Sequence, residues 1–414
     1  MTKEQIKELV RERLSGRRII LFGAGEVAEA FYQEHKGELN ISHCVSNLKK
    51  EWGKDALLGE LDVKEYRREE IEENDYIVVC GAMAFRTIEL QLKSDGQEMY
   101  SDFVESNIAA AIYSGKKIAL FYGQCVLRDI YECICKVPSF NKEYVCVRSR
   151  TVKGQAIVIN RLVYYMKDIC DLYVYTPKIL DRDSAYSLDL DELPSDCKVL
   201  SLSNLLLPLY WPQITTELDV YNKYYLHPYN VDRNIEHAHT LYRREDININ
   251  RMVEEGKTTK EIVECLSSED YYSEKKVINH IIYTLKMIDI AEAKIDIKVG
   301  DFIRANYKKK LLYSNFMHPN KCIIWEYIRR LLRGIGISDA EVDELERESP
   351  NHLHEGGDVP IYPSVAKYLQ LEFVDKNTQY EVMVENGMVQ MTFEEYMEHY
   401  VEYTKKAMEI MQMW

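Results

Sequence analysis

The chain has 414 residues, 46% hydrophobic and 29% charged, and a formal net charge of −15 at pH 7. That length exceeds one ordinary hydrophobic core, so two or three domains are expected, and the composition excludes a sizeable disordered segment. The acidic balance argues against nucleic acid as a partner, because phosphate binding demands a basic face.

The first segment, MTKEQIKELVRERLSGRR, reads as a charged amphipathic helix without the apolar core of a signal peptide. No apolar run reaches the roughly 18 residues that a spanning helix needs. The expectation is a cytoplasmic protein without direct membrane insertion. Residues 17–31, RRIILFGAGEVAEAF, predict a strand, a glycine turn and a helix. Further strands are expected in ISHCVSN (41–47) and DYIVVCGA (75–82), with a helix in FRTIELQLKSDG. This alternation predicts a small parallel α/β unit ending near residue 112.

A second α/β unit begins at KKIALFYG. Its strands are expected at 117–122, 143–149, 170–177 and 197–204, with a helix in IVINRLVYYMKDI. From about 235 to 345 the pattern turns helical, in ININRMVEEGKTTKEIVECL, KKVINHIIYTLKMIDIAEAKI, VGDFIRANYKKKLLY and CIIWEYIRRLLRGIGI. The segment from Phe393 adds one more amphipathic helix. The fold class is therefore α/β: a Rossmann-like domain over 1–112, then an α/β domain with a large helical portion over 113–414.

Gly23 and Gly25 form a GxGxxA pattern after a strand, where glycines let a pyrophosphate approach a helix N-terminus. Ser46 and Asn47 stand where an acidic ribose partner belongs, so a nucleotide site and a purely structural turn both remain open. The segment is similar to the small GAG-containing domains attached to bacterial polysaccharide- and sugar-modifying enzymes.

In FYGQCVLRDIY a strand ends in Gly123, Gln124 and Cys125 and passes straight into a helix. A thiol so placed is activated by the helix dipole and free N–H groups, which also suit an oxyanion. The competing reading is a buried thiol. Ten cysteines are too sparse for a disulfide scaffold and are expected to be reduced, with Cys133 and Cys135 read as core. Much later, Asn315 and His318-Pro319 precede another helix. Gly-x-Cys followed by Asn-x-x-His-Pro repeats the order of the GxS and DxxHP blocks of SGNH-type esterases and acyltransferases. Cysteine keeps nucleophilic chemistry. Asn315 in place of Asp can hold an imidazole tautomer without stabilising imidazolium by charge.

FYGQCVLRDIY, CDLYVYTPKI, LPSDCKVLSLSNLLLPLYWPQ, GDFIRANYKKKLLYSNFMHPNKCIIWEYIRRLL and VPIYPSVAKYLQL together resemble the WcbI family of capsular-polysaccharide biosynthesis proteins, over roughly 116–375. Gln124 and Val126 depart from the family's GNCQ-type opening. The resemblance implies a bacterial coenzyme A-binding protein acting as an acetyltransferase on a sugar or polysaccharide precursor, with acetyl-CoA as acyl donor. Cys125, His318 and Asn315 would be the catalytic groups, with Gly123 and Gln124 at the oxyanion. Phosphate grips would come first from Arg128 and Arg304, then from Lys308, Lys309 and Lys310 or from Arg148, Arg150 and Lys153.

Tyr210 and Trp211 could stack on a sugar or adenine or could fill a core; the 31 tyrosines pose the same alternative at large. The pairs His237/His239 and His352/His354, with Glu355, lack partners at metal-ligand spacing, so no metal is expected. An SGNH-like carbohydrate esterase and a non-catalytic module binding CoA or nucleotide sugars are the rival readings. A homo-oligomer is compatible with all of them.

Overall fold

The computed structural model describes residues 1–49, 57–81, 85–123, 125–149, 167–177, 190–203, 205, 207–213, 246–315, 318–351, 353, 357–384 and 387–412. The side chains of 125, 147–149, 383–384 and 407–412 fall outside that description. The chain divides into two compact units, Met1–Leu202 and Ser203–Trp414.

Unit 1 opens with α1 (Lys3–Gly16), held by a reciprocal capping box between Thr2 and Gln5. There follow β1 (Arg18–Phe22), α2 (Glu26–His35), β2 (Ile41–Ser46), β3 (Leu57–Leu58), β4 (Leu61–Glu65), β5 (Asp75–Val79), α3 (Phe85–Ser94), β6 (Phe103–Glu105) and α4 (Ser106–Tyr113). The sheet runs β3-β4-β2-β1-β5-β6, parallel at every pairing except β3 with β4. That is the Rossmann-like order, and β5 is buried along its whole length, as a sheet covered on both faces requires. Gly23 ends β1 with φ of 117°. A Cβ there would stand 2.5 Å from the Cys80 carbonyl oxygen, so only glycine lets the end of β1 pass so close to the chain leaving β5.

A second sheet follows in the same unit: β7 (Lys117–Tyr122), α5 (Cys125–Ile134), α6 (Pro138–Glu143), β8 (Tyr144–Ser149), β9 (Leu172–Tyr175) and β10 (Lys198–Ser201). Its order is β10-β9-β7-β8, all parallel. The helix expected in 157–169 lies largely outside the described residues. The chain leaves the first sheet after β6 and α4 and enters the second at Lys117, close to the division at 112 read from the sequence. The compact body nevertheless runs on to Leu202. One apolar cluster explains this: Val10 and Leu14 of α1 and Ile108 and Ile112 of α4 pack with Ile118, Leu120 and Tyr173 of the second sheet.

Charge reinforces that join. Lys3 and Lys7 of α1 each place Nζ 2.7 Å from the Asp171 carboxylate just before β9, and the Ile118 amide donates to the same group at 2.7 Å. Burial by itself would raise the Asp171 pKa, but the bonds from Lys3 and Lys7 outweigh it and hold the carboxyl below its ordinary range. A lowered carboxyl contributes stability above the unfolded pKa, and that contribution disappears as pH falls through the folded value. Asp171→Ala leaves Lys7 with only the distant Glu4 at 3.9 Å and Lys3 with only the exposed Asp196 at 2.7 Å, and is expected to cost about 3 kcal/mol, read as a lower urea midpoint. Its stability profile should also be flatter than that of the unsubstituted protein below about pH 4.

Unit 2 contains α7 (Ile247–Glu254), α8 (Thr259–Leu266), α9 (Glu274–Glu292), α10 (Gly300–Asn306), β11 (Tyr313–Asn315), β12 (His318–Pro319), α11 (Lys321–Ile335), α12 (Val342–Glu348), α13 (Pro363–Leu369), β13 (Tyr380–Val384), β14 (Gly387–Met391) and α14 (Phe393–Gln412). The stretch read as one helical pattern at 247–266 is two helices, because Gly256 takes φ of 77° and ends the first. The stretch at 299–313 is helical only through Asn306. The core is aromatic: Trp211, Trp325, Tyr210, Tyr313, Tyr327 and Tyr362 are among the largest fully buried side chains. Among the described residues, no helix is long and apolar enough to cross a membrane.

Candidate active site

The turn after β7 sits where the second sheet changes direction. β7 lies between β8 and β9; the chain first moves to β8 on one side and then crosses to β9 on the other. In open α/β sheets, ligands bind outside the carboxyl ends of the strands at this reversal. Gly123 stands at that end, and Cys125 is the first residue of α5. A Cβ on Gly123 would lie 2.8 Å from Leu127 Cδ2 and 2.8 Å from Thr176 Oγ1, so glycine is what lets α5 start this close to the strand end. The free N–H groups of the first turn of α5 are directed toward that end, as at every helix start. Gln124 lies outside the described residues.

Thr176 is a residue the sequence does not point to. Its amide donates to Tyr122 O at 3.1 Å, fixing it beside Gly123, and its Oγ1 is buried without a hydrogen-bond partner among the described residues. A threonine after a strand carries no sequence signal of its own, and only the pairing of β7 with β9 reveals it.

Arg128, one turn into α5, is engaged with Asp129 at 3.0 Å and Glu132 at 4.0 Å. Arg148 contributes backbone to β8, while Arg150 and Lys153 lie outside the described residues. Cys133 is 1% exposed, and burial pushes its thiol up to about 12. Cys135, expected in the core with it, is only half-buried. The reason is position: it follows the last residue of α5, where the helix turns away from the sheet.

In unit 2, Asn315 and His318 face one another across the β11–β12 hairpin. Directly opposed residues of an antiparallel pair project to the same side, with Cβ atoms about 5 Å apart. The spacing Asn-x-x-His therefore becomes a side-by-side pair. Asn315 is 2% exposed, and His318 is half-buried. The hairpin is pinned by Val359 N to Ser314 O at 2.8 Å and by Ser314 Oγ to Asn320 Oδ1 at 2.9 Å. The first of these bonds also brings Asp358 alongside β11, an acid some 40 residues from the motif whose carboxylate accepts the Glu381 amide at 3.1 Å. No pattern in the sequence links it to His318.

The basic residues before the hairpin sort by partner. Arg304 is paired with Asp289 and donates to Leu285 O at 3.1 Å. Among the described residues no carboxylate pairs with Lys308, Lys309 or Lys310; Lys310 lies 4.9 Å from the Phe302 ring centre and Lys308 5.9 Å from that of Tyr307. A phosphate therefore meets less competition at the lysines than at Arg304 or Arg128.

Tyr210 and Trp211 correct the stacking expectation. Both are 0% exposed; Tyr210 donates to Tyr307 O at 2.9 Å and Trp211 Nε1 to Val359 O at 3.1 Å. Their polar tips are spent on backbone carbonyls and their faces on core packing, which leaves no ring for a sugar. Gly25 is the N-cap of α2, and a Cβ placed on it would meet nothing within 4 Å. His237, His239, His352, His354 and Glu355 lie outside the described residues. Among those described, no group of three or more His, Cys, Asp or Glu could hold a metal ion.

Two comparisons bear on this arrangement. Residues 169–340 match the family model described as polysaccharide biosynthesis enzyme WcbI. A solved structure of WcbI, described as a novel polysaccharide biosynthesis enzyme and as the native protein without a disulfide bond between CoA and one of its cysteines, aligns with a TM-score of 0.51 at 18% identity. The alignment covers 70% of this chain and 90% of that one. At that identity the likeness speaks for the fold. No curated protein matches the sequence. The chain thus resembles WcbI in sequence pattern over residues 169–340 and in fold over 70% of its length.

Proposed function

We propose that this protein is a polysaccharide biosynthesis enzyme that transfers an acyl group, acetyl in the simplest case, from coenzyme A to a sugar hydroxyl. The observation that carries this reading is the start of α5 at Cys125, at the carboxyl end of the strand where the second sheet reverses. The WcbI structure of similar fold is described together with CoA and a cysteine, which supports the choice of donor.

When bound, acetyl-CoA would supply the activated thioester. The N–H groups at the start of α5 would stabilise developing negative charge on a carbonyl oxygen, and the unpartnered Thr176 hydroxyl would add a donor beside them. Cys125 is the nucleophile or lines the position where the acyl group is attacked. His318 acts as general base, and Asn315 holds its ring in one tautomer. Lys308, Lys309 and Lys310 would hold phosphates, since among the described residues no carboxylate pairs with them.

The test is release of free CoA from acetyl-CoA in the presence of a panel of sugar and nucleotide-sugar acceptors, with the acetylated product identified by mass. Acceptor-dependent release supports the reading. Acetate release from an acetylated sugar without CoA would replace it with an esterase. Ligand binding without turnover would replace it with a carrier module.

A further inference from the structure

We propose that the outward face of α9 docks on an anionic lipid bilayer. The inward face of this helix, with Val277, Ile281, Thr284 and Ile288, is buried. A helix packed in this way ordinarily turns charged and polar side chains outward. α9 instead carries Ile282, Tyr283, Met287 and Ile290 there, exposed by 59%, 57%, 37% and 57%. Lys275, Asn279, Ile282, Lys286 and Ile290 follow one another at spacings of three and four residues, with Tyr283 and Met287 in the adjoining row. The apolar groups therefore form one stripe on the helix surface. Among the described residues, the other large exposed hydrophobic side chains stand singly along the chain or, at Met388 and Val389, as a pair. Scattered exposure of that kind is ordinary, whereas a contiguous apolar patch marks an interaction surface.

Charge selects the partner. Lys275 and Lys286 lie in the stripe and Lys294 follows just past its end, all three exposed, and among the described residues no carboxylate pairs with any of them. The acids of α9 are placed otherwise. Asp289 is bonded to Arg304. Glu292 is buried and accepts the Val299 and Gly300 amides. Glu274 is the first residue of the helix, where a carboxylate meets the positive end of the helix dipole. A chain of formal net charge −15 thus presents, from Lys275 to Lys294, a face whose unpaired charges are positive.

A second copy of the chain fits this face poorly. A two-fold contact sets a patch against itself, so two sets of lysines would meet with Asp289 already bonded to Arg304, and like charges brought together oppose association. A bilayer with anionic headgroups fits it well. The lysines reach lipid phosphates while their methylene stems lie along the apolar stripe, and Ile282, Tyr283, Met287 and Ile290 enter the boundary between headgroups and acyl chains. Tyrosine suits that depth, having an apolar ring and a hydroxyl for the wet side. The contact is peripheral, made by a helix lying along the interface, and it does not depend on which reaction the protein catalyses.

The test is flotation of the full-length chain with vesicles of phosphatidylcholine alone and of phosphatidylcholine mixed equally with phosphatidylglycerol, at low and at high salt. The expected result is binding to the mixed vesicles only, weakened by salt. Lys275→Glu with Lys286→Glu, and separately Ile282→Asp with Ile290→Asp, should each weaken that binding at least about tenfold. Both double variants should melt close to the unsubstituted chain, because every substituted position is exposed. Absence of binding to either vesicle, or equal binding to both, would overturn the proposal from the unsubstituted chain alone. Full binding by either double variant would overturn it as well. So would a dimer in light scattering that Ile282→Asp with Ile290→Asp converts to monomer, since the face would then belong to a second copy.

Discussion

Cys125→Ala is expected to reduce acyl transfer to the uncatalysed background, and His318→Gln to lower turnover by roughly 10²–10⁴, each with a melting temperature close to that of the unsubstituted chain. Of the residue types from Gly123 to Arg128, only the cysteine can act as a nucleophile, so nothing adjacent in the chain replaces it once its sulfur is gone. His318 sits on a hairpin closed by Asn320 N to Leu312 O and pinned from outside by Val359 N to Ser314 O. A change of its ring should therefore leave the fold in place. Glutamine keeps a hydrogen-bonding group at that position but cannot shuttle a proton near neutral pH. Steady-state kinetics with acetyl-CoA and the best acceptor, alongside thermal melts, check both variants. Turnover near normal in Cys125→Ala would reduce the thiol to a lining residue, and in both variants would remove the proposed chemistry.

The largest stability effect is expected at Gly23. Gly23→Ala forces an alanine into φ of 117° and puts its methyl 2.5 Å from the Cys80 carbonyl oxygen, a backbone atom that cannot turn aside. The expected loss is at least about 2–4 kcal/mol, measured by urea denaturation. Gly25→Ala meets nothing within 4 Å and should cost only about 0.5–1 kcal/mol as an N-cap change. The two glycines look alike in the sequence, yet one is fixed by strand packing and the other is not. A Gly23→Ala variant as stable as the unsubstituted chain would show that the approach of β1 to β5 yields easily to a methyl group.

That contrast indicates what can be read in advance. The strand, turn and helix at 17–35 and again at 116–134 are legible because a buried parallel strand is a continuous apolar run and the glycine after it marks the turn. β3, the three-residue β6 and the β11–β12 hairpin are not, since strands this short are defined by their partners and not by a pattern of their own. The extent of unit 1 is hidden for a similar reason: α1 belongs by sequence to the first sheet, but its Lys3 and Lys7 reach Asp171, 168 and 164 residues later. Among the candidate residues, the helix start at Cys125 and the Asn315–His318 pair, each in its own unit, follow from local motifs. Thr176 and Asp358 come into view only through bonds from Thr176 to Tyr122 and from Val359 to Ser314. Tyr210 and Trp211 show the reverse case, where an aromatic-proline segment that suits a sugar platform is consumed by core packing.

The measurement that most directly tests the central claim is a calorimetric titration of coenzyme A into the full-length chain, repeated with Lys308, Lys309 and Lys310 replaced together by alanine. The account predicts saturable one-site binding to the unsubstituted protein, weakened at least about tenfold by loss of the three charges proposed to hold its phosphates. Absence of saturable heat with both CoA and acetyl-CoA, while a dinucleotide or nucleotide sugar binds, would contradict it.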